Sequence, residues 1–361
     1  MNPADMRQVV VSSAEDIRVE RVPWPGAPGE HEVLVHSRLV GICGSDTHAC
    51  AGKHPFIPLP YRPGHEVVGV VGQVGAGVDD LAEGDRVVLE PNLVCGKCRQ
   101  CLDGRYNICR ELAVFGCQTA GAMADAFVVA RDRLHRLPEA VTDELAALIE
   151  PLATPVHAVR RAGVGRGSRV AVLGAGPIGL LCLVAARAAG AEVVVVTDVL
   201  PNKRERARRL GADAALDAAD PDLVDQARRA LGDGAGGGAD VVLDCVAMQS
   251  SMTQAIELLD KGGTVMVVGI AAGPTTIPLH LVQDREIAVI GSLMYVRRDV
   301  LAAIDLLAAG AVAAEDLITA TFPLDRAAEA FAASIHPDQV KVLVSVSADG
   351  AGSADGANGK S

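Results

Sequence analysis

Four cysteines crowd one short segment, Cys95-x2-Cys98-x2-Cys101-x7-Cys109. Four thiolates are the number a closed tetrahedral zinc site needs, and a site with no open position folds its loop rather than catalyses. An iron–sulfur cluster is the rival reading, but the bacterial ferredoxin run ends C-x3-C-P, whereas here the last spacing is longer and Arg110 follows. Free thiols are the remaining alternative. Lys97, Arg99, Arg105 and Arg110 lie in the same lobe and offset the thiolate charge.

A second pattern is Gly174-Ala175-Gly176-Pro177-Ile178-Gly179, a G-x-G-x-x-G fingerprint after a strand-like run and before an Ala/Leu helix. Gly174 allows the tight turn, Gly176 lets the backbone approach a pyrophosphate, and Gly179 lets helix and strand pack closely. The helix start then offers unpaired N–H groups to the anion. The next strand-like run ends in Asp198, where an acid that grips the ribose 2′-hydroxyl should fall; a helix N-cap is the plainer reading of that residue. An ionised Asp198 repels a 2′-phosphate, which favours NAD over NADP, although Lys203 and Arg204 could blunt that repulsion.

A third set is dispersed: Cys43 in Gly41-Ile42-Cys43-Gly44-Ser45-Asp46, the pair His65-Glu66, and Glu150 in Glu150-Pro151-Leu152. One thiolate, one imidazole and a carboxylate make a mixed, incomplete shell, the kind that keeps a position open for water or substrate. Spacing alone does not join these positions, and a single buried His or Cys is more often a packing residue than a ligand.

Two kinds of architecture must position these residues. The first third carries short β-type runs at Gln8 to Val11, Ile17 to Val22, Glu32 to Val40, Glu66 to Val74, Arg86 to Leu89 and Ala126 to Val129, separated by Gly and Pro clusters, which predicts a small barrel or sandwich. From about Gly163, runs at Arg169 to Leu173, Glu192 to Thr197, Ala214 to Leu216, Asp240 to Cys245, Thr264 to Val268 and Ile287 to Ile290 alternate with helical stretches. Ile178 to Ala189, Lys203 to Leu210 and Met252 to Leu259 are the clearest of those helices, and the alternation predicts a doubly wound parallel sheet. Val300 to Ala309, Leu324 to Ala333 and a last strand-like run, Val340 to Val346, follow; Gly232 to Gly238 reads as a flexible surface loop and the tail from Ser347 as disordered.

The chain has 361 residues, which suggests two domains. Half are hydrophobic but only 2% aromatic, so the core must rest on Val, Leu, Ile and Ala. A net charge of -12 argues against nucleic acid and anionic lipid as partners. Nine cysteines at uneven spacing, with no leader-like start, fit ligands in a cytoplasmic protein better than a disulfide framework, and Cys50, Cys117, Cys182 and Cys245 read as small buried residues. Val170 to Ala186 is apolar enough to resemble a short membrane span, but its glycines and Pro177 read instead as strand, turn and buried helix.

Taken together, Gly41 to Asp46, Gly64-His65-Glu66, the four-cysteine lobe, Glu150-Pro151-Leu152, the fingerprint and Asp198 resemble the zinc-dependent medium-chain dehydrogenase/reductase family, most of all its sorbitol dehydrogenase-like branch, over about Val9 to Val346. The resemblance implies an α/β fold with a GroES-like β-barrel catalytic domain over 1–155 that carries the zinc lobe 95–109, a Rossmann domain over 156–295, and a return to the catalytic domain over 296–346, with the tail 347–361 left over. It implies a catalytic zinc at Cys43 and His65 with Glu66 or, through water, Glu150, and a structural zinc in the lobe. Ser45 and His48 match the proton relay, though His48 also reads as an exposed loop histidine. Ile178, Asp198, Lys203, Val268, Gly269, Ile270, Ser292, Leu293 and Met294 match cofactor contacts, with Gly174, Gly176, Pro177 and Gly179.

The implied reaction is NAD-dependent oxidation of a secondary alcohol, diol or polyol to the ketone. Where sorbitol enzymes place a tyrosine after the relay histidine this chain has Ala49, and Met294 replaces their substrate-clamping arginine, although Tyr295 matches. A long polyol would leave hydroxyls unpaired, so a smaller diol, as for butanediol dehydrogenase, fits better. A threonine 3-dehydrogenase-type enzyme shares most motifs, and a non-enzymatic NAD-binding or structural protein is the alternative of another class. A DNA-binding zinc module is a poor fit to one short insert in an acidic chain. The family implies a homo-oligomer, a tetramer rather than a dimer, with Ile287 to Ile290 able to pair between subunits.

Overall fold

A computed structural model describes residues 4–232 and 237–346. The tail from Ser347 and most of the loop Gly232 to Gly238 lie outside them. Two compact units divide the chain: one takes the chain up to Cys95, Glu111–Leu148 and the stretch from Ile318, the other Gly96–Arg110 and Ile149–Leu317. The divisions fall at 148/149 and 317/318, against the expected 155 and 295, because the helices Ile149–Arg161 and Arg297–Ala308 pack together.

The first unit is built on a seven-stranded sheet in the order Ile318–Pro323, Lys341–Ser345, Glu32–Gly41, Glu66–Val74, Arg86–Leu89, Leu134–Arg136, with Ala126–Ala130 also pairing Glu32–Gly41. Strands from the two ends of the chain thus meet: Leu343 pairs Gly41, and Gly41 pairs Glu66. Val9, Val33, Val35, Val40, Val67, Val71 and Val87 dominate its buried core, as the scarcity of aromatics required. β-branched side chains suit a pleated, half-buried surface, which is why these runs form strands.

The second unit holds a parallel six-stranded sheet in the order Ala214–Asp217, Val193–Asp198, Arg169–Leu173, Ala239–Asp244, Leu259–Val267, Ala288–Gly291. In chain order this is 3-2-1-4-5-6, the doubly wound arrangement whose switch point lies between the first and fourth strands. The apolar stretch from Val170 resolves into the strand Arg169–Leu173 and the helix Pro177–Ala188, whose residues from Gly179 to Ala186 are buried. Among the described residues, no helix is long and apolar enough to cross a membrane.

Gly44–Cys50, Ile149–Arg161 and Leu223–Leu231 are among the helices that escaped the sequence reading. Ile149–Arg161 carries Pro151 in its first turn, where a missing N–H is harmless, and Pro155 inside, which normally argues against a helix. Its buried residues, from Ile149 to Val159, hold it by packing instead.

Candidate active site and cofactor turn

In the first unit, Cys43 immediately precedes the helix Gly44–Cys50, and the Asp46 carboxylate accepts a hydrogen bond from its N–H at 2.9 Å, fixing the approach of the chain. His65 and Glu66 stand at the start of the strand Glu66–Val74. Pairing of that strand with Glu32–Gly41 carries both toward Cys43, so that one donor atom from each of Cys43, His65 and Glu66 lies within 4.8 Å of the others. Zinc bonds of about 2.0–2.3 Å would bring such donors to about 3.3–3.8 Å of one another, so a small closure around an ion suffices.

His65 is buried, with Asp46 Oδ1 3.9 Å and Cys117 Sγ 3.8 Å from Nδ1. Nε2 faces Ser45 Oγ at 3.5 Å. A carboxylate behind one ring nitrogen commonly orients the other toward a metal. Burial pushes the metal-free imidazole down, but the Asp46 carboxylate and Cys117 outweigh it and raise its pKa well above the usual value. Asp46 is fully buried, and that burial raises its own pKa despite His65, the Cys43 N–H and the Tyr61 hydroxyl at 3.1 Å. Cys117, read from sequence as ordinary packing, therefore faces the site. Ser45 is half-buried and His48 exposed, both on the helix Gly44–Cys50 rather than a loop.

Glu66 has a partner that sequence reasoning missed. Lys341 Nζ donates to both its carboxylate oxygens, at 2.8 and 2.6 Å, and to the Ile42 carbonyl at 3.2 Å, with both side chains buried. A lysine inside the apolar run Val340 to Val346 was the available signal. Gly41 makes the room: a Cβ there would stand 2.0 Å from Glu66 Oε2.

Glu150 lies in the second unit, buried in the first turn of Ile149–Arg161, and accepts the hydroxyl of Tyr295 on Oε1. The four cysteines of the lobe do converge: their sulfurs all lie within 4.8 Å, with Cys98 Sγ 3.5 Å from Cys101 Sγ and 3.9 Å from Cys109 Sγ. Zinc–thiolate bonds of about 2.3 Å require sulfurs about 3.8 Å apart, so the cage has the size of the ion.

The fingerprint obeys its steric logic. Gly174 has φ +90, open space surrounds a Cβ at Gly176, and a Cβ at Gly179 would strike the Gly174 carbonyl oxygen at 1.8 Å. Pro177 and Ile178 open the helix beyond it. Asp198 is not the N-cap of the helix Pro201–Arg209, which is Leu200; its carboxylate instead accepts from Ala175 N at 2.8 Å and Leu200 N at 2.9 Å. Arg204 donates to the Asp198 and Val199 carbonyls at 2.8 and 3.0 Å and pairs with Asp217. Lys203 lies half-buried beside it.

Across the switch point, the fully buried Asp244 organises the opposite rim, a role that sequence reasoning missed. Its carboxylate accepts from Val246 N, Ala247 N and the Ser251 hydroxyl, and its carbonyl from Val268 N and Gly269 N. Ile270 and Leu293 are exposed there, Ser292 N binds the Val267 carbonyl at 2.9 Å, and Met294 adopts φ +46. The open turn over Gly176, with these exposed apolar side chains, fits a dinucleotide.

Residues 29–139 match the family described as alcohol dehydrogenase GroES-like domain, and 177–309 the family described as zinc-binding dehydrogenase. Sorbitol dehydrogenase of Ovis aries is 36% identical over 94% of this chain and 96% of its own length. D-xylulose reductase A of Aspergillus niger is 34% identical over 93% and 95%. A protein of Sinorhizobium meliloti 1021, solved with NADP bound, superposes with a TM-score of 0.88 at 34% identity, covering 95% of this chain and 100% of that one.

Proposed function

The chain belongs to the zinc-dependent medium-chain dehydrogenases, in their sorbitol dehydrogenase-like branch, and on that premise we propose that it oxidises a secondary alcohol, diol or polyol to the ketone with NAD. The observation that carries the reading is the convergence of Cys43, His65 and Glu66, three donors of different chemistry, within 4.8 Å. Cys43 and His65 would hold the catalytic zinc, with Glu66 or, through water, Glu150 completing the shell, and Cys95, Cys98, Cys101 and Cys109 the structural one. When bound, zinc supplies a Lewis acid for the substrate oxygen, and the nicotinamide supplies the hydride acceptor.

The chain's own residues bind, orient and move the proton. Asp46 and Cys117 behind Nδ1 turn His65 Nε2 toward the donors. Ser45 takes the alcohol proton, and His48, which shares a face of the same short helix and is exposed, hands it to water. Gly176, Ile178 and Gly179 present amides to the pyrophosphate, while Gly174 makes the tight turn before them and Pro177, which has no N–H, starts the helix. Asp198 faces the ribose beside Lys203, and Val268, Gly269, Ile270, Ser292, Leu293 and Met294 line the far rim.

An acid at 198 disfavours a 2′-phosphate. Of the two basic residues that could offset it, Arg204 is spent on two carbonyls and Asp217, which supports NAD over NADP. Ala49 and Met294 leave few groups for the hydroxyls of a long polyol, which supports a smaller diol. We also read the protein as cytoplasmic and as a homo-oligomer, a tetramer in preference to a dimer. Ala288–Gly291 is the last strand of its sheet and Val289 on it is 40% exposed, which supports pairing there between subunits.

The test is NADH formation by zinc-loaded protein over small diols, polyols, simple secondary alcohols and threonine. Turnover of a diol or polyol is expected. Turnover of threonine alone, or of none of them while NAD and zinc bind, overturns the substrate class.

A further inference from the structure

The one-turn segment Tyr106–Ile108 lies inside the four-cysteine lobe, immediately before Cys109, and its Asn107 is buried. Asn107 Nδ2 donates to the Leu293 carbonyl at 2.7 Å, and His157 Nε2 lies 3.4 Å from the same nitrogen. A carbonyl can only accept, so the amide orientation is fixed by chemistry. The neighbouring Tyr106 hydroxyl accepts the N–H of Arg297. Two consecutive lobe residues therefore grip the segment 293–297 at both its ends. Between those grips stands Met294 with φ +46, a conformation that L side chains rarely adopt and that persists only where its surroundings impose it.

Other groups lock the same unit from behind. His157 Nδ1 meets Asp299 Oδ2 at 2.7 Å, Arg160 Nε donates to Asp299 Oδ1 at 2.8 Å, and Val296 N donates to Asp299 Oδ2 at 3.0 Å. His157 and Arg160 stand on Ile149–Arg161 and the buried Asp299 on Arg297–Ala308, with Val296 immediately before that helix. The arrangement is more than a brace for the lobe, because nothing in a tetrahedral thiolate cage requires a buried asparagine pointed at another loop.

We propose that Asn107 and Tyr106 are positioning residues for the turn Ser292–Arg297, so that the zinc lobe sets the shape of the nicotinamide side of the cofactor site. The assignment to that side follows from the sheet. Asp198 ends one strand and Ser292 follows another four places along the order, about 19 Å away at about 4.8 Å per strand, with the fingerprint between them. A dinucleotide laid across the switch point with its adenosine ribose at Asp198 must bring its other half toward Ser292–Met294. The inference rests on the cofactor reading above.

The experiment compares parent, Asn107→Asp and Tyr106→Phe by zinc content, thermal melting and calorimetric titration with NAD and with ADP-ribose, which lacks the nicotinamide. Asn107→Asp keeps the shape but removes the donor to Leu293; Tyr106→Phe removes one oxygen, so it tests the link even if the first variant folds poorly. Both should keep the parental zinc content and bind ADP-ribose as the parent does. NAD should bind about tenfold more weakly to Asn107→Asp and about threefold more weakly to Tyr106→Phe, the scale of one buried hydrogen bond. Equal loss for both ligands, or no loss for either, overturns the proposal. A parent that binds neither ligand instead removes the cofactor reading, and the turn then has no cofactor to position.

Discussion

Lys341 and Glu66 stand 275 residues apart in sequence, yet the Lys341 ammonium reaches both oxygens of the Glu66 carboxylate, at 2.8 and 2.6 Å, in a site closed to water. The strand order explains the meeting: Lys341–Ser345 and Glu66–Val74 flank Glu32–Gly41 on either side, and Gly41 between them has no side chain to intervene. An ammonium that neutralises Glu66 competes with any cation for that carboxylate. It also keeps the charge tolerable when no metal is present.

Lys341→Met should therefore leave a buried carboxylate without its partner and destabilise the protein by about 3–5 kcal/mol. The double variant Lys341→Met/Glu66→Gln should recover most of that loss, because the charge is gone as well. Urea melts of the parent, both single variants and the double variant measure the coupling. A double variant no more stable than Lys341→Met would show that the pair does not act as a unit.

The two metal groups should separate by what they do to stability. Cys98→Ser opens a cage whose sulfurs are already spaced for zinc, so it should lose one zinc per chain and lower the melting temperature by several degrees, since metal binding energy at such a site is folding energy. Metal analysis with a melting curve decides it. A Cys98→Ser variant that melts like the parent contradicts a structural role.

Asp299 provides a pH signature. Burial alone would raise its carboxyl, but hydrogen bonds from His157, Arg160 and Val296 N hold it down at about 2. A folded value below the unfolded one of about 3.9 means that the stabilisation is fully present above about pH 4 and is lost as pH falls through about 2. Its size at neutral pH is roughly 1–3 kcal/mol. Asp299→Asn should be less stable at neutral pH and show a shallower loss of stability between about pH 4 and 2. Parallel curves for the two proteins would assign the acid sensitivity elsewhere.

The parts of this architecture that sequence revealed are those encoded locally. The cysteine lobe spans fifteen positions, 95–109, and the fingerprint six, 174–179, so residue spacing alone carries their geometry. The alternating segments of the parallel sheet were legible for the same reason, down to Arg169–Leu173. Cys43, His65 and Glu66 converge only through strand pairing, and Lys341 through pairing of strands from opposite ends of the chain, which no periodicity records. The resemblance to a family supplied the first three and not the lysine. Ile149–Arg161, which carries Glu150, His157 and Arg160, was hidden by Pro151 and Pro155, because tertiary packing overrides a local preference that reads as a break.

The most direct test of the central claim is NADH formation from a small diol by zinc-loaded parent and Cys43→Ser, with zinc content and NAD affinity measured on the same samples. The parent should carry about two zinc ions per chain and turn over. Cys43→Ser should carry about one, bind NAD as before, and lose about a thousandfold or more in rate, the several kcal/mol that a Lewis acid contributes. A Cys43→Ser variant that retains the parental rate would contradict the account.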